Sequence, residues 1–459
     1  MEGPGRSWVL FILRWGIAIA GIWWVIAQIS IRDYVHVLDE QTNRPFRAAL
    51  LEPSVELEAG CRILDPRTGQ ARQIPRQLLV NKPDRRHVEV VSPGRTRRAQ
   101  LLALDLTDDL RQVLRLLVAD DATGRGVWIG PAQAPGYRLS VPNPLVEIGL
   151  GRMVRRADPR LLILAVLIFP ATFLLTSVRW HRLLRALEIE IPLSRAFVLN
   201  MVGAFYNTFM LGVTGGDVLK AWYAAKQTVT RRTRAVLSVF IDRAIGLLAL
   251  VMLGGFMAAV QYASAGGDDP AARACLRVAV GAVVLLAAVA AGLTVFYQPA
   301  LRRALGIDFV ISRLPMQRQV AKTIEAMELY RRRPGRVAWA LLITFPVHIT
   351  VILSAMLSGL ALNLPISPMY YFVAVPVIVL SGSVPISFQG AGVMEFFAVI
   401  LTARQGATVS EAFALTLSIR LVQILWNLTG GIFVFRGGYH APSEIERRSL
   451  DGDPLAVST

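Results

Sequence analysis

The sequence predicts an all-α polytopic membrane protein that carries one small inserted soluble domain. Three observations lead to this class. The 459 residues are 54% hydrophobic with a mean hydropathy of +0.48, whereas soluble domains average about 45–50% apolar residues. The apolar residues form runs that reach the roughly 20 residues needed to cross a bilayer. Between the first two runs lies a polar stretch with strand-like patterning. We therefore expect about six full transmembrane helices, two re-entrant broken-helix segments, and a β-rich or α+β insert.

The charge balance favours a membrane setting over nucleic-acid binding. Lys and Arg number 49 against 32 Asp and Glu, for a net charge of +17. These basic residues sit mainly in short segments beside apolar runs, as cytoplasmic loops of membrane proteins do. We expect membrane lipids with anionic head groups as partners and no nucleic acid, and homo-oligomerisation is left open. Two cysteines and five scattered histidines offer no disulfide framework or metal-binding spacing, so no metal or cofactor is expected.

The first apolar run, from Trp8 to Ile29, is predicted to be a retained transmembrane helix. It is too long and too rich in tryptophan for a signal-peptide core, and no small-residue cleavage site follows closely. Alternating stretches such as 88–91 in the polar region that follows predict strands, whereas the leucine spacing of 105–118 predicts a helix. No catalytic constellation is visible there, which favours a scaffold or docking module. The predicted organisation is a first helix over 1–30, the insert over 31–157, a helical transmembrane domain over 158–438, and a polar cytoplasmic tail over 439–459.

Five further apolar runs predict full crossings. Trp180, within the basic cluster 179–182, is typical of a membrane interface and places that end of the second crossing at the cytoplasm. An amphipathic stretch over 307–330 predicts an interfacial helix on the same side. We expect a multi-pass protein of the cell membrane with both termini cytoplasmic and the insert outside. The five runs are 161–178, 235–262, 278–297, 337–362 and 412–435.

Two more apolar stretches are broken by glycine. The segment 196–219 is interrupted by 212–217 and has basic residues on both flanks, so we expect it to enter and leave on the cytoplasmic side. The segment 370–403 is interrupted by 381–392 and is expected to enter from the opposite face. Inverted pairs of broken helices line midplane sites in secondary transporters. Backbone N–H groups freed at a half-helix N-terminus suit an anionic ligand such as phosphate.

Charged residues at membrane depth are the candidate functional residues. Glu395 is the only Asp, Glu, Lys or Arg between Arg336 and Arg404, and a carboxylate at that depth is a functional candidate unless it only caps the half-helix beginning near Gly392. Arg420 is its expected partner. The predicted substrate path contains no catalytic residue and comprises Glu395, Arg420, Asp242, Arg243, Asp217, Lys220, Gly215, Gly216, Ser387, Gln389, Gly390 and Gly392.

Within this set two further pairs are expected. Asp242 and Arg243 are interpreted as a pair in the third crossing, with a structural ion pair as the alternative role. Asp217 and Lys220 close the first broken segment and are expected to meet a head group near the cytoplasmic surface. The neutral side chains of Asn207, Thr214, Ser387 and Gln389 are candidates for lining the path, although such residues also bind helices together.

Ordered motifs in these segments resemble a known family. They are Gly212-Val213-Thr214-Gly215-Gly216-Asp217 with Lys220, Val239-Phe240-Ile241-Asp242-Arg243 with Gly246, Pro385-Ile386-Ser387 with Gly390, Gly392 and Glu395, and Arg420 with Gly430-Gly431. Together they resemble the lysylphosphatidylglycerol synthase transmembrane-region family of flippase-like membrane proteins, over about 161–438 plus the first helix. Leu211 and Phe388 depart from the pattern, since the family often has proline there, and the insert is unusual for the family.

The resemblance implies a domain that moves modified phospholipids or related lipid carriers in a bacterial or archaeal plasma membrane. The family's full synthase adds a soluble aminoacyl-transferase domain, but only a short polar tail follows Arg436, so we do not expect that enzyme activity. The expected function is movement of an anionic or amphipathic lipid, or a lipid-linked carrier, between leaflets. The alternatives are a membrane enzyme acting on a lipid head group and a non-transporting scaffold.

Overall fold

The computed structural model covers most of the chain. The predicted first helix (apart from residue 23), Thr214, Ser387, Gln389 and nearly all of the tail lie outside the described residues. The described residues are 23, 30–51, 60–83, 86–92, 95–107, 112–120, 123–137, 139, 145–209, 215–228, 231–264, 270–307, 317–383, 390–437 and 439.

The described strands lie between Tyr34 and Glu147 and form two antiparallel sheets. The first has the order β10-β1-β2-β3-β4, with β5 also paired to β1, and the second has the order β6-β7-β8-β9. An isolated bridge between Asn81 and Leu104 connects the two sheets. The strands are β1 Tyr34–Leu38, β2 Pro45–Leu50, β3 Cys61–Leu64, β4 Ala71–Ile74, β5 Leu79–Val80, β6 His87–Ser92, β7 Arg95–Leu106, β8 Val113–Ala119, β9 Gly126–Ile129 and β10 Val146–Glu147.

The helix expected over 105–118 is wrong, because this stretch contains the end of β7 and most of β8. Leu104 pairs with Leu116 across the two strands, and both side chains are fully buried. Register shifts in this pairing interrupt the strict alternation of buried and exposed residues. The interrupted alternation left leucines at spacings that a helix would also give.

Helices make up the rest of the described chain. Pro170 separates α2 from α3, where a kink was expected. The helices are α1 Leu150–Arg156, α2 Pro159–Ile168, α3 Ala171–Ala186, α4 Leu193–Phe209, α5 Gly215–Lys226, α6 Arg232–Ser264, α7 Pro270–Tyr297, α8 Pro299–Ala304, α9 Gln317–Arg331, α10 Pro334–Ala361, α11 Tyr371–Gly382, α12 Val393–Thr402, α13 Val409–Thr429 and α14 Gly431–Gly437.

Five helical stretches of the described chain are long and apolar enough to cross a membrane, and they coincide with the five later crossings predicted from the sequence. The structure therefore supports a mainly helical membrane protein with a small β-sheet region near its N-terminus, while the count of six crossings stays a prediction. The five stretches are Pro159–Ala186, Arg232–Ser264, Ala272–Tyr297, Pro334–Ala361 and Val409–Gly437.

Both glycine-broken segments form pairs of packed antiparallel helices. In the first pair, α4 lies against α5, and the Gly216 N–H donates to Asn207 Oδ1 at 2.7 Å. In the second pair, α11 lies against α12, with the Tyr370 hydroxyl donating to the Leu401 carbonyl at 3.0 Å just before α11 begins. Each pair thus begins and ends at the same end of the bundle. Re-entry into a membrane from opposite faces remains a prediction for both pairs.

Arginines connect the helix ends at one end of the bundle, called here the arginine-rich end, and the sheets lie at the other end. At the first end, Arg333 Nη2 lies 2.8 Å from Glu188 Oε1, and Arg336 donates to the Arg185 carbonyl at 2.6 Å. At the other end, the Ser30 N–H donates to Ser410 Oγ at 3.0 Å, next to the start of α13. The insert therefore contacts the end of the bundle farthest from these arginines.

Candidate functional site

A cavity of about 310 Å³ lies between the helices. Asp242, which lines it, is ten residues along α6 from Arg232 at the arginine-rich end. At a rise of about 1.5 Å per residue this places Asp242 about 15 Å from that end. The cavity therefore lies inside the bundle, about a third of the way along the 33-residue α6.

Two cations from other helices hold Asp242. Arg179 Nε of α3 donates to Asp242 Oδ1 at 2.7 Å, and Lys220 Nζ of α5 lies 3.5 Å from Oδ2. The expected pairing of Asp242 with Arg243 is wrong. Consecutive helix residues point in different directions, and Arg243 Nη1 instead lies 2.9 Å from Asp217 Oδ2. Both aspartates thus connect helices rather than balancing a neighbour in sequence.

Lys220 is buried inside the bundle rather than near a cytoplasmic head group. Its side chain is 3% exposed. The ammonium donates to Asn200 Oδ1 at 3.1 Å and lies 4.0 Å from the centre of the Trp180 ring, which is cation–π geometry. The prediction that Asp217 and Lys220 close the segment at the membrane surface is therefore wrong for Lys220, although both side chains line the cavity.

Glu395 makes both of the contacts that the sequence suggested as alternatives. Its Oε2 accepts the Gly392 N–H at 2.7 Å, which caps α12. Its Oε1 lies 2.8 Å from Arg420 Nη2 as an ion contact without hydrogen-bond alignment. The Glu395 side chain is 3% exposed and that of Arg420 is 16% exposed. Arg420 Nε is buried and has no hydrogen-bond partner among the described residues.

The glycines of the predicted path shape the helix ends. Gly390 and Gly392 have φ values of 72° and 84°, which a residue with a Cβ adopts only at a cost, and they precede the first turn of α12. Gly215 begins α5, and Gly216 packs directly on α4. Ser387, Gln389 and Thr214 lie outside the described residues.

Several cavity residues were not predicted from the sequence. Arg179 and Trp180 were interpreted as part of a membrane-interface cluster, but they are 6% and 0% exposed, and Arg179 lines the cavity. The position of Arg179 had a signal in the sequence, because Thr172, Thr176 and Arg179 are spaced four and three apart and share one helix face. The same holds for the last helix, where Arg420, Gln423 and Asn427 all line the cavity. The other unpredicted polar lining residues are Asn200, His348 and Ser383.

The cavity carries a surplus of positive charge. Four cationic side chains line it, Arg179, Lys220, Arg243 and Arg420, against the two carboxylates of Asp217 and Asp242. Counting Glu395 behind Arg420, four cations face three carboxylates. A buried surplus cation is costly unless an anion or water accompanies it. Among the described residues there is no cluster of three His, Cys, Asp or Glu side chains that would hold a metal. The arrangement suits binding of an anionic group.

These features define a polytopic helical membrane protein with a charged cavity between its crossings. Residues 149–431 match the family described as the lysylphosphatidylglycerol synthase TM region, and the chain belongs to that family. It is also similar to a UPF0104 membrane protein of Pyrococcus horikoshii, with 26% identity over 114 residues. That match covers 24% of this chain and 33% of the relative, so the chain matches about a third of the relative's length.

Proposed function

We propose that this protein moves an anionic lipid, either a phospholipid or a lipid-linked phosphate, between the two leaflets of a membrane. The observation that carries the proposal is the cavity of about 310 Å³, with its surplus of cations about 15 Å inside the bundle. Membership of a family named for a lipid synthase's membrane region supports a lipid as substrate. The head group would pass through the cavity while the acyl chains stay in the hydrocarbon.

The cations of the cavity divide into two sets by exposure. The side chains of Arg179 and Lys220 are 7% and 3% exposed, and Asp242 bridges them. This set ties α3, α5 and α6 together and has little room for a ligand. Arg243 and Arg420 are 29% and 16% exposed. These two are the cations that a head group would reach.

Arg420 is suited to exchange its partner for a passing phosphate. A guanidinium presents five donors in a planar fork that matches phosphate oxygens. In the resting protein one terminal nitrogen contacts Glu395, and Nε makes no hydrogen bond within the described chain. A phosphate would accept a hydrogen bond from Nε. Glu395 would compete with the phosphate for Arg420 and so keep its affinity low enough for the anion to leave.

The test is lipid movement in proteoliposomes by wild type, Glu395→Gln, Arg420→Gln and the double variant, with acyl-labelled fluorescent phosphatidylglycerol and an impermeant quencher. Glu395→Gln leaves a buried guanidinium without its counter-ion, which costs about 3 kcal/mol of stability. We expect at least a tenfold loss of transport for each single variant. The double variant should recover thermal stability but not transport, since the charges are still missing.

Glu328→Gln is the matched control, because it also removes one carboxylate but outside the cavity. Glu328 pairs with Arg331 and Arg332 at the arginine-rich end. It should transport at the wild-type rate. Wild-type transport by Glu395→Gln would contradict the proposal and leave helix capping as the role of this residue. Chemical conversion of the lipid, followed by mass spectrometry of the same vesicles, would indicate the enzyme alternative. A stable wild-type protein that neither moves nor converts lipid would favour the alternative of a non-transporting scaffold.

A further inference from the structure

A second cavity, of about 630 Å³, lies where the β-sheets meet the helical bundle. Four arginines and one aspartate are its charged lining residues, so this junction cavity is strongly basic. Its lining is Ile31, Arg32, Asp33, Leu50, Leu51, Gly151, Arg152, Arg155 and Arg156.

Buried contacts hold the floor of the junction cavity in place. Asp33 accepts the Gly149 N–H at 2.8 Å through Oδ1, and Arg152 Nη1 lies 2.8 Å from its Oδ2. The Leu150 N–H donates to the Ser30 carbonyl at 2.9 Å. A Cβ at position 149 would lie 2.5 Å from the carbonyl carbon of Arg32, so only glycine allows the two chain segments to approach this closely. The single carboxylate is therefore used to fix α1, not to neutralise the other arginines.

Three arginines remain available to a ligand. Arg32, Arg155 and Arg156 are exposed. Among the described residues, the side chain of Arg155 alone of the three makes a hydrogen bond, in which Nε donates to the Gly151 carbonyl at 3.1 Å, and its two terminal amino groups face no acceptor there. In the described part of the chain, no carboxylate pairs with Arg32 or Arg156. Closely spaced, unpaired guanidinium groups repel one another and bind an anion with several phosphate oxygens well.

The chain places this cavity at the level of lipid head groups. Arg156 stands three residues before Pro159, where a 28-residue candidate span begins. The apolar side chains of Ile31 and Val154 beside it are 73% and 67% exposed. Exposed apolar side chains interleaved with arginines are typical of a surface lying in the membrane interface.

We propose that the junction cavity binds the phosphate of an anionic phospholipid at the membrane surface opposite the arginine-rich end. The site is separate from the central cavity and shares no lining residue with it. It stands whether or not the protein transports lipid. Free phosphate has the same chemistry, so the experiment includes both sources.

The test is photocrosslinking of the full chain in nanodiscs to phosphatidylglycerol that carries a diazirine near its head group, followed by peptide mapping. We expect crosslinks in the peptides containing residues 30–33 and 149–156. Arg155→Gln/Arg156→Gln should reduce them at least fivefold, and Arg155→Lys/Arg156→Lys should retain most of the signal. The control, Arg72→Gln/Arg125→Gln, removes two exposed charges from the insert away from the junction cavity and should leave the crosslinks unchanged.

Competition distinguishes the sources and the outcomes. Displacement by unlabelled phosphatidylglycerol but not by millimolar inorganic phosphate supports the lipid site, and displacement by both supports the same phosphate site filled from solution. Equal displacement by phosphatidylcholine, or unchanged crosslinks in the folded Gln variant, would overturn the proposal. Because the readout is local to the junction, a failure here would leave the transport result unaffected.

Discussion

At the scale of single residues, Glu147 in the insert lies close to three basic side chains. His36 Nε2, Arg47 Nη2 and Lys82 Nζ lie 3.5, 2.7 and 3.5 Å from its oxygens. Burial alone would raise the pKa of Glu147. The His36 hydrogen bond and the charges of Lys82 and Arg47 outweigh this effect and lower the pKa from its ordinary 4.5 to about 2. These contacts tie β10, which immediately precedes the helical bundle, to β1 and β2.

We predict that Glu147→Gln destabilises the insert near neutral pH and reduces the loss of its stability as the pH falls. A carboxyl whose pKa is lower in the folded state stabilises fully above its unfolded pKa, and this stabilisation is lost as the pH falls through the folded pKa. The window therefore runs from about pH 4.5 down to about pH 2, and the contribution is on the order of 2 kcal/mol. The measurement is accessibility of the buried Cys61 thiol to an acid-tolerant pyridyl disulfide, in a Cys275→Ala background.

The control for this experiment is Glu40→Gln, whose carboxylate meets Arg72 with both side chains more than half exposed. Such a pair contributes little, so its accessibility profile should follow that of the wild type. A Glu147→Gln profile identical to wild type between pH 7 and pH 2 would contradict the prediction.

Residue pairing was predictable from sequence only where charges were scarce. Glu395 and Arg420 were expected to pair because few alternatives exist at their depth, and the structure places them 2.8 Å apart. Asp242 and Arg243 are adjacent in sequence, but their partners are Arg179 and Asp217. Those contacts depend on how α3, α5 and α6 cross, which a single sequence does not specify.

At the scale of elements, close glycine contact holds α4 and α5 together. A Cβ at Gly216 would collide with the Gly203 carbonyl oxygen and crowd the Asn207 side chain. Small residues that let helix backbones approach closely are a common means of helix association in membranes. This contact also positions two side chains that reach the cavity, Asp217, which is the next residue, and Lys220, which lies one turn further along α5.

We predict that Gly216→Ala separates these helices and lowers stability by about 1–3 kcal/mol, the usual cost of an overpacked site. The measurement is thermal unfolding of the detergent-solubilised protein. The matched control is Gly281→Ala in α7, where a Cβ meets nothing within 4 Å, and alanine should be neutral or slightly stabilising because it favours helix. Equal melting temperatures for both variants and wild type would show that the contact is not tight.

Elements were predictable to the extent that hydropathy alone determines them. The bounds of the five later candidate crossings were predicted to within eight residues, because an apolar run of bilayer length leaves few alternatives. The strands β7 and β8 were misassigned, since a bulged register mimics helical spacing. The pairing of α11 with α12 required a three-dimensional contact that hydropathy does not contain.

At the scale of the whole molecule, the distribution of charge between the two ends predicts orientation. Arginines cluster around Glu188 and the start of α10, and four further arginines border the insert at the opposite end. The insert over 31–157 is a long domain, and such domains translocate largely regardless of charge, so the short basic loops near Glu188 set the orientation. Short basic loops stay in the cytoplasm. The insert should therefore lie outside, and the junction cavity would face the outer leaflet. Cys61 of the insert is 2% exposed and buried in the first sheet, so a failure of this thiol to react would say nothing about orientation.

We predict that Thr123→Cys and Gly335→Cys, each in a Cys61→Ala/Cys275→Ala background, label from opposite sides. Thr123 is exposed on the insert, and Gly335 is exposed at the start of α10 beside the arginine-rich end. An impermeant maleimide should label Thr123→Cys in intact cells and Gly335→Cys only after permeabilisation, because the basic end resists translocation. A third variant, Asn363→Cys in the exposed turn after α10, serves as the control. It lies at the insert end and should label with Thr123→Cys. Labelling of Gly335→Cys but not Thr123→Cys in intact cells would contradict the prediction. It would show that the insert and the junction cavity lie on the cytoplasmic side.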